Sequence, residues 1–325
     1  MIRKARLKAF AKLNLGLRVL YKRPDGFHEL RTIFQTISLA DRITISFERA
    51  SKTQIEIEGA PEIEDNLMVR AAARVLEELR VRGRVYFLLE KAIPMGAGLG
   101  GGSSDAAAVL LALPVLAGRT LPAGRARAIA LELGSDVPFF LYGGTALAMG
   151  RGEELYPLPE LLRSRVLVIA PEIHCSTGEA YRDLSPRLTT QSLQNKLISF
   201  QQEVWQGARA AAPGNGSAGA VNKPAPAAAN DFEEVVFARH PELKRVRDRL
   251  RRAGARSAAM TGSGSAVFGV FDDSASLERA RRMFPRDRAF SVSFLSRAQY
   301  RSAWTRALKP HSEGDQWPPQ SLYAQ

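Results

Sequence analysis

Pro94-Met-Gly-Ala-Gly-Leu-Gly-Gly-Gly-Ser-Ser-Asp105 runs without interruption into Ala106-Ala-Ala-Val-Leu-Leu-Ala-Leu113. Five glycines fall within seven residues, which leaves the backbone amides open to a bulky anionic ligand. The run then enters a helix, whose unpaired N-terminal N–H groups and positive dipole end favour phosphate. Ordering so many glycines is entropically unfavourable. A turn used only for tight packing would not need five of them with two serines at a helix start, so the stretch reads as a phosphate-cradling loop.

The loop formally satisfies G-x-G-x-x-G over Gly96 to Gly101. A dinucleotide site needs an acidic residue about 20 positions later to hold the ribose, and the chain there reads Thr120-Leu-Pro-Ala-Gly124. A Walker A loop closes on Gly-Lys-Ser/Thr, whereas this one closes on Gly-Gly-Ser-Ser-Asp without lysine. The glycine loop of protein kinases lies between two strands rather than ahead of a helix. None of these three contexts fits.

The 325 residues suggest roughly two domains, at about 100–200 residues each. The apolar run Ala106 to Ala117 falls short of the roughly 20 residues a membrane span needs, and Pro114 is expected to break it. The N-terminus, Met1-Ile-Arg-Lys-Ala-Arg-Leu-Lys8, has no apolar stretch behind its charges, unlike a secretory signal. A soluble, cytoplasmic protein with no membrane partner is expected. The single cysteine, Cys175, forms no internal disulfide and is read as inert. The net charge of +13 is concentrated late, with 19 Lys/Arg against 11 Asp/Glu from Gly207 onward. Lys244-Arg-Val-Arg-Asp-Arg-Leu-Arg-Arg252 is the densest basic stretch. No aromatic residues interleave there as stacking platforms, so it reads as a solvated helix face and no nucleic-acid partner is expected.

Alternation of apolar and polar residues predicts strands over 42–47 and 54–58, and Val85–Leu89 reads as a buried strand that delivers the chain to the loop. Helices are expected over 66–80, capped by Asn66 or Asp65, and over 103–113 and 123–133. A second block begins at the strand 166–170. It continues through helices near 231–238 and 241–253, strands near 256–260 and 266–271, a helix over 274–283 and a strand over 289–294. Residues 207–229, rich in Ala, Gly, Pro and Ser, read as a mobile loop. The residues from about 301 onward read as a polar tail that frays.

Pro94-x-x-x-Gly-Leu-Gly-Gly-Gly-Ser-Ser-x-Ala-Ala107 resembles the signature loop of the GHMP kinases, the family of galactokinase and of homoserine, mevalonate and phosphomevalonate kinases. Ala11-Lys-Leu-Asn-Leu-Gly-Leu17 and Arg23-Pro-Asp-Gly-Phe-His-Glu-Leu30 resemble the N-terminal signature of one branch, whose acceptor is a cytidylyl compound. Gly134-Ser-Asp-Val-Pro-Phe139 resembles that branch's catalytic segment, and Thr261-Gly-Ser-Gly-Ser265 the third family motif. The resemblance spans about residues 5–297. It implies an α+β, two-domain GHMP kinase fold. Residues 1–160 would form an ATP-binding domain folded like a ribosomal protein, and residues 161–300 a ferredoxin-like α/β sandwich, with the tail at 301–325. It further implies ATP-dependent phosphorylation of the 2-hydroxyl of 4-diphosphocytidyl-2-C-methyl-D-erythritol, a step of non-mevalonate isoprenoid synthesis.

On spacing alone, Lys12 and Asn14 lie on an exposed strand face opposite Leu13, Leu15 and Leu17, and Asp136 is an ordinary helix N-cap ahead of Val137-Pro138. The resemblance assigns Lys12 to the transferring phosphoryl group and Asp136 to the acceptor hydroxyl's proton, with Asn14 near the substrate. It places the cytosine against Phe27 and His28, with Tyr181 stacking on its other face and Thr177 in the same substrate segment. On chemistry alone Phe27 would be core and His28 structural. ATP is assigned to Pro94, Met95, Gly96, Ala97, Gly98, Leu99, Gly100, Gly101, Gly102, Ser103 and Ser104. Asn66, Leu67 and Lys91 are assigned to its adenine; on chemistry alone they are a cap, a core leucine and a solvated lysine. Asp231 is read as a structural cap. Ser103 and Ser104 suit phosphate or Mg²⁺, and no metal site built from protein alone is legible, which fits Mg²⁺ held by ATP oxygens and waters. Homoserine or phosphomevalonate as acceptor is the alternative within the family, and Asp25-Gly-Phe-His28 argues against it because those enzymes bind no cytosine. A basic RNA-binding protein is the non-enzymatic alternative, and it leaves the glycine loop without a task. The oligomeric state is not legible.

Overall fold

The computed structural model describes residues 1–59, 65–161, 164–189, 192–201, 229–285, 287–314 and 316–324. The expected mobile loop at 207–229 lies outside the described residues apart from Ala229. Two long neighbours, β1 (Arg3–Lys22) and β2 (His28–Arg49), run antiparallel for almost their whole length. The far half of β2 pairs with β4 (Gly83–Glu90), which carries β3 (Gln54–Glu58) in parallel. Its near half pairs with β5 (Thr145–Met149), followed by β6 (Glu154–Pro157). The β1–β2 ladder shifts register between Phe10 and Lys12, between Asn14 and Leu17, and between Val19 and Tyr21. Such bulges re-aim side chains, and two of them bracket Lys12 and Asn14.

α1 (Leu67–Glu78) buries Met68, Ala71, Ala72, Val75 and Leu76, a one-faced helical stripe, and the Asn66 carboxamide caps it by accepting from Met68 N at 2.9 Å. α2 (Gly101–Ala117) is different, because every residue from Ser104 to Ala117 is buried. It is the central helix of the N-terminal domain, between the sheet and the layer of α1, α3 (Ala123–Leu133) and α4 (Val137–Phe140). The break expected at Pro114 does not occur: the helix continues to Ala117 and ends at Gly118 with φ +71°. A proline inside a helix costs about 3 kcal/mol, and burial on all sides offsets that.

The C-terminal domain is a four-stranded antiparallel sheet in the order β10 (Arg288–Ser293), β7 (Arg165–Ala170), β9 (Val267–Phe271), β8 (Ser257–Met260). It packs against α5 (Thr177–Leu184), α6 (Phe232–Arg239), α7 (Pro241–Arg252) and α8 (Ser274–Arg282). A continuous core joins the two domains, with Leu13, Leu15 and Ile37 of the first sheet packed among Val166, Val168 and Phe268 of the second. α7 buries Leu243, Val246 and Leu250. Three of its arginines serve structure, where Arg247 pairs with Glu233 at 2.6 Å, Arg249 donates to Met283 O, and Arg251 donates to Ala258 O at 3.1 Å, while Lys244, Arg245 and Arg252 are exposed. Asp231 makes no side-chain capping bond on α6. Its carboxylate instead accepts from Val19 N at 3.0 Å and pairs with Lys196 at 2.6 Å, tying α6 to β1.

The residues after 300 are not a fraying tail. α9 (Arg297–Leu308) opens with a Ser296/Gln299 capping box and buries Tyr300, Trp304 and Leu308 in the N-terminal core. Beyond it β11 (Ser312–Glu313) and β12 (Gln320–Ser321) form a small hairpin docked on α2 through Ser321 Oγ to Val115 O, 2.8 Å. Polar composition hid this element because its three core residues are spaced one per turn among charged neighbours. No helix among the described residues is long and apolar enough to cross a membrane. Trp304→Ala is expected to lower stability by about 3–5 kcal/mol, measured by denaturant unfolding of the full chain; a loss below about 1 kcal/mol would mean that α9 is only loosely docked.

Candidate active site

The bulged stretch of β1 aims Lys12 and Asn14 inward rather than to solvent, and both are buried. Lys12 Nζ donates to Asn14 Oδ1 at 2.6 Å and lies 3.4 Å from Asp136 Oδ2. Asn14 Nδ2 donates to Thr32 Oγ1 at 2.8 Å, and Thr32 in turn donates to Gly16 O at 2.7 Å. The ammonium also stands 4.9 Å from the centre of the Phe34 ring. A chain of hydrogen bonds therefore fixes where this buried cation points. Asp136 precedes α4 without capping it through its side chain, and that side chain remains one-third exposed to the cleft.

The glycine loop passes directly beside this pair. Gly96, Gly98 and Gly100 have φ of +65°, +76° and +71°, a region that side-chain-bearing residues rarely enter. Space is as decisive as φ. A Cβ on Gly98 would stand 2.2 Å from Thr261 O, and one on Gly100 would stand 2.8 Å from the Phe140 ring. Lys12 N donates to Leu99 O at 2.9 Å, and Ala266 N donates to Ala97 O at 3.2 Å. The loop is thus clamped between β1 and the Thr261–Ser265 turn. It forms a partition, because Gly96, Gly98 and Gly100 line two cavities at once, one of about 470 Å³ and one of about 340 Å³.

The smaller chamber gathers Asn66, Leu67, Lys91, Pro94, Met95 and the loop through Ser103, so the residues expected to hold ATP are brought together there; Ser104 is buried behind it. Lys91 is not a solvated lysine. Its ammonium bridges Asp41 at 2.5 Å and Asp105 at 3.0 Å, and Asp41 also accepts from Ala92 N and Ile93 N. Burial pushes the Asp105 carboxyl up to about 7, against the pull of Lys91 and with the added push of Asp41. This ionic clasp locks the strand that enters the loop to the helix that leaves it. Sequence reading missed it, since Asp41 carries no motif and Asp105 appears only as the last letter of the loop.

The larger chamber is lined by Lys12, Asn14, Thr32, Asp136, Thr177 and Tyr181, together with Arg151, His174 and Ser263, which sequence reading did not single out. Thr177 and Ser263 share a hydrogen bond of 2.7 Å that joins α5 to the Thr261–Ser265 turn. The Tyr181 phenol is pushed up to about 12 by burial and by the negative Asp136, so it stays neutral. Phe27 and His28 do not line the chamber. His28 stacks on Tyr181 with centroids 4.7 Å apart and bonds Ser185 Oγ at 2.7 Å, leaving no room for a base between those two rings. Phe27 is half-exposed instead of core, with the Arg151 guanidinium 4.6 Å from its ring centre. The glycine pair flanking Arg151, at 150 and 152, was the only sequence signal for that turn.

Folding transfers a proton to Asp105 at pH values between its ordinary 3.8 and about 7, so the folded state binds more protons than the unfolded state in that window. Stability should then fall as pH rises from about 4 to about 7. Asp105→Asn is expected to flatten that decline in the thermal midpoint, and an equally steep decline in the variant would assign it to other groups.

Residues 66–144 match the family description "GHMP kinases N terminal domain" and residues 210–288 match "GHMP kinases C terminal". The chain is 53% identical to a 4-diphosphocytidyl-2-C-methyl-D-erythritol kinase of Solibacter usitatus, over 99% of this chain and 98% of that one. It is 41% identical to the protein of the same name from Moorella thermoacetica, over 86% and 93% of the two chains. Among solved structures, a 4-(cytidine 5'-diphospho)-2C-methyl-D-erythritol kinase superposes with a TM-score of 0.71 at 37% identity, covering 90% of this chain and 99% of the other. A homoserine kinase from Cytophaga hutchinsonii superposes with a TM-score of 0.64 at 18% identity, over 89% and 94%, a likeness of fold alone.

Proposed function

The chain belongs to the GHMP kinases, in their 4-diphosphocytidyl-2-C-methyl-D-erythritol kinase branch, and from that premise we infer how its two chambers divide the reaction. Its fold is the two-domain, mixed α+β GHMP kinase fold, and its activity is ATP-dependent phosphorylation of 4-diphosphocytidyl-2-C-methyl-D-erythritol in non-mevalonate isoprenoid synthesis. ATP occupies the smaller chamber with its phosphates along the glycine loop. The cytidylyl acceptor occupies the larger one and presents its 2-hydroxyl at the seam. The observation that carries this reading is the Lys12–Asp136 pair, held 3.4 Å apart where the loop separates the chambers.

The acceptor oxygen bonds to the γ-phosphorus, the bond to the β,γ-bridging oxygen breaks, and ADP leaves with that electron pair. Asp136 takes the hydroxyl proton and returns it to water. Phosphoryl transfer is loose and needs little activation of the nucleophile, so positioning and charge carry most of the catalysis. Lys12 supplies a fixed positive charge beside the transferring group, in a site where burial strengthens it. Asn14 holds Lys12 in place and keeps one N–H for the substrate. Asn66 and Leu67 border the adenine, while Lys91 shapes that chamber through its carboxylate pair rather than as a free cation. Tyr181 offers its ring to the cytosine with His28 stacked on it as a second layer, and Arg151, which carries the Phe27 ring against its guanidinium, lines the same chamber.

Mg²⁺ bound together with ATP would supply positive charge against its phosphates. Among the described residues no three His, Cys, Asp or Glu side chains cluster to hold a metal. The ion would therefore rest on phosphate oxygens and water, with the Ser103 and Ser104 hydroxyls as the protein oxygens on offer; Ser104 Oγ is buried without a hydrogen-bond partner. The location proposed for the reaction is the cytoplasm, where ATP is available as donor.

Lys12→Ala and Asp136→Asn are each expected to fold and to lose about 10²- to 10⁴-fold in kcat; near wild-type kcat in a steady-state assay would remove that residue from the catalytic set. Tyr181→Ala is expected to raise KM for the cytidylyl substrate about 5- to 150-fold, the equivalent of about 1–3 kcal/mol of base stacking, with Tyr181→Phe close to the parent. An unchanged KM in the alanine variant would move the cytosine elsewhere.

A further inference from the structure

Behind the catalytic segment lies a third cavity, about 590 Å³ and larger than either chamber of the cleft. Arg127 of α3, Phe139 of α4, Tyr142, Tyr156 of β6 and Arg301 of α9 form its walls. None of them faces the chambers in front, and nothing in the kinase reaction uses them. The volume falls within the roughly 300–1,000 Å³ of small-molecule sites, which combine apolar and aromatic walls with a few placed charges.

The charges here do not balance. Arg297, also in the wall, is neutralised by Glu160 at 3.1 Å and donates to Thr145 O at 2.8 Å. Arg301 has no carboxylate within ion-pair distance among the described residues. Its guanidinium stands 5.3 Å from the Trp317 ring centre, and its Nε is buried without a hydrogen-bond partner. Burial and the neighbouring Arg297 push its pKa down, against a weaker opposing pull from Tyr142 and Glu160. Arg127, at the exposed rim, is likewise unpaired among the described residues. The acidic lining residue, Glu154, is exposed at the mouth, where water screens it. A cavity whose walls carry unpaired charges of one sign focuses their field and draws a counter-ion.

We propose that this cavity is a second ligand site, for a small molecule that carries a phosphate-like anion on a flat apolar body. Arg301 and Arg127 receive the anion, and Tyr142 and Tyr156 flank the body. The site is joined to the reaction centre by short connections. Tyr300 hydroxyl donates to Phe140 O at 2.5 Å and Trp317 Nε1 donates to Leu141 O at 2.9 Å, so α9 and the C-terminal segment are bonded to α4, whose preceding residue is Asp136. A ligand gripped between Arg301 and Tyr142 therefore bears on the segment that carries the catalytic carboxylate.

The probe is 8-anilino-1-naphthalenesulfonate, an anion on an aromatic body, titrated by fluorescence into the full chain with ADP and the cytidylyl acceptor both at saturation, so that both chambers of the cleft are filled. One saturable site is expected, displaced by inorganic pyrophosphate. Arg301→Gln and Arg127→Gln should each weaken it by about tenfold, as loss of a charge-assisted contact does, and Glu154→Gln should tighten it. Arg127 is exposed, so its variant tests the site even if Arg301→Gln folds poorly. Probe binding that ADP or the cytidylyl acceptor abolishes, or that is equal in the parent and the Arg127 variant, overturns the proposal. Neither result bears on the kinase reading, which is tested at Lys12, Asp136 and Tyr181.

Discussion

Everything at the reaction centre depends on one close approach of backbone to backbone. Gly98 lies against Thr261 O so tightly that even a methyl group would overlap it by more than an ångström, and Thr261 also donates to Gly98 O at 3.3 Å. This contact is where the N-terminal domain's glycine loop meets the C-terminal domain's turn. It makes the loop a wall with two faces rather than a flap over one ligand. The two chambers are consequently defined by the same few residues, and what they hold can approach only as closely as a side-chain-free backbone permits.

Around that wall the charges are arranged in two layers. Beneath the donor chamber, Lys91 sits between Asp41 and Asp105 and joins the strand before the loop to the helix after it. A buried cluster of this kind is weak evidence for stability, because desolvation opposes the Coulombic gain; its value here is in fixing where the loop begins and ends. At the seam, Lys12 is held by Asn14 and Thr32 and faces a partly exposed Asp136. The first layer borders the smaller chamber with its charges already paired, and the second faces the larger chamber with a partly exposed carboxylate. Lysine serves in both, and its surroundings decide whether it is bridged between two carboxylates, as Lys91 is, or left facing the cleft, as Lys12 is.

The pattern of glycines, the strand leading into them and the helix leaving them were legible in the sequence because each rests on local chemistry. The acceptor side was legible only through resemblance, since Lys12 and Asn14 by spacing alone belong to an exposed strand face. Two bulges in the β1–β2 ladder turn them inward, and bulges leave no reliable mark on an alternating pattern. Pro114 and the residues after 300 misled for a related reason. Local rules predict a broken helix and a fraying end, and tertiary burial overrides both, through the all-round packing of α2 and through Tyr300, Trp304 and Leu308. The stacking of His28 on Tyr181 was equally out of reach, because it joins residues more than 150 positions apart.

The central claim is that the wall passes a phosphoryl group from ATP to a cytidylyl acceptor, and the acceptor's identity tests it most directly. Initial rates of ADP release by the full chain can be compared with 4-diphosphocytidyl-2-C-methyl-D-erythritol, homoserine and phosphomevalonate at equal concentrations. Saturable turnover is expected with the cytidylyl compound and background rates with the other two. Turnover of homoserine or phosphomevalonate at a rate matching or exceeding that of the cytidylyl compound would contradict it.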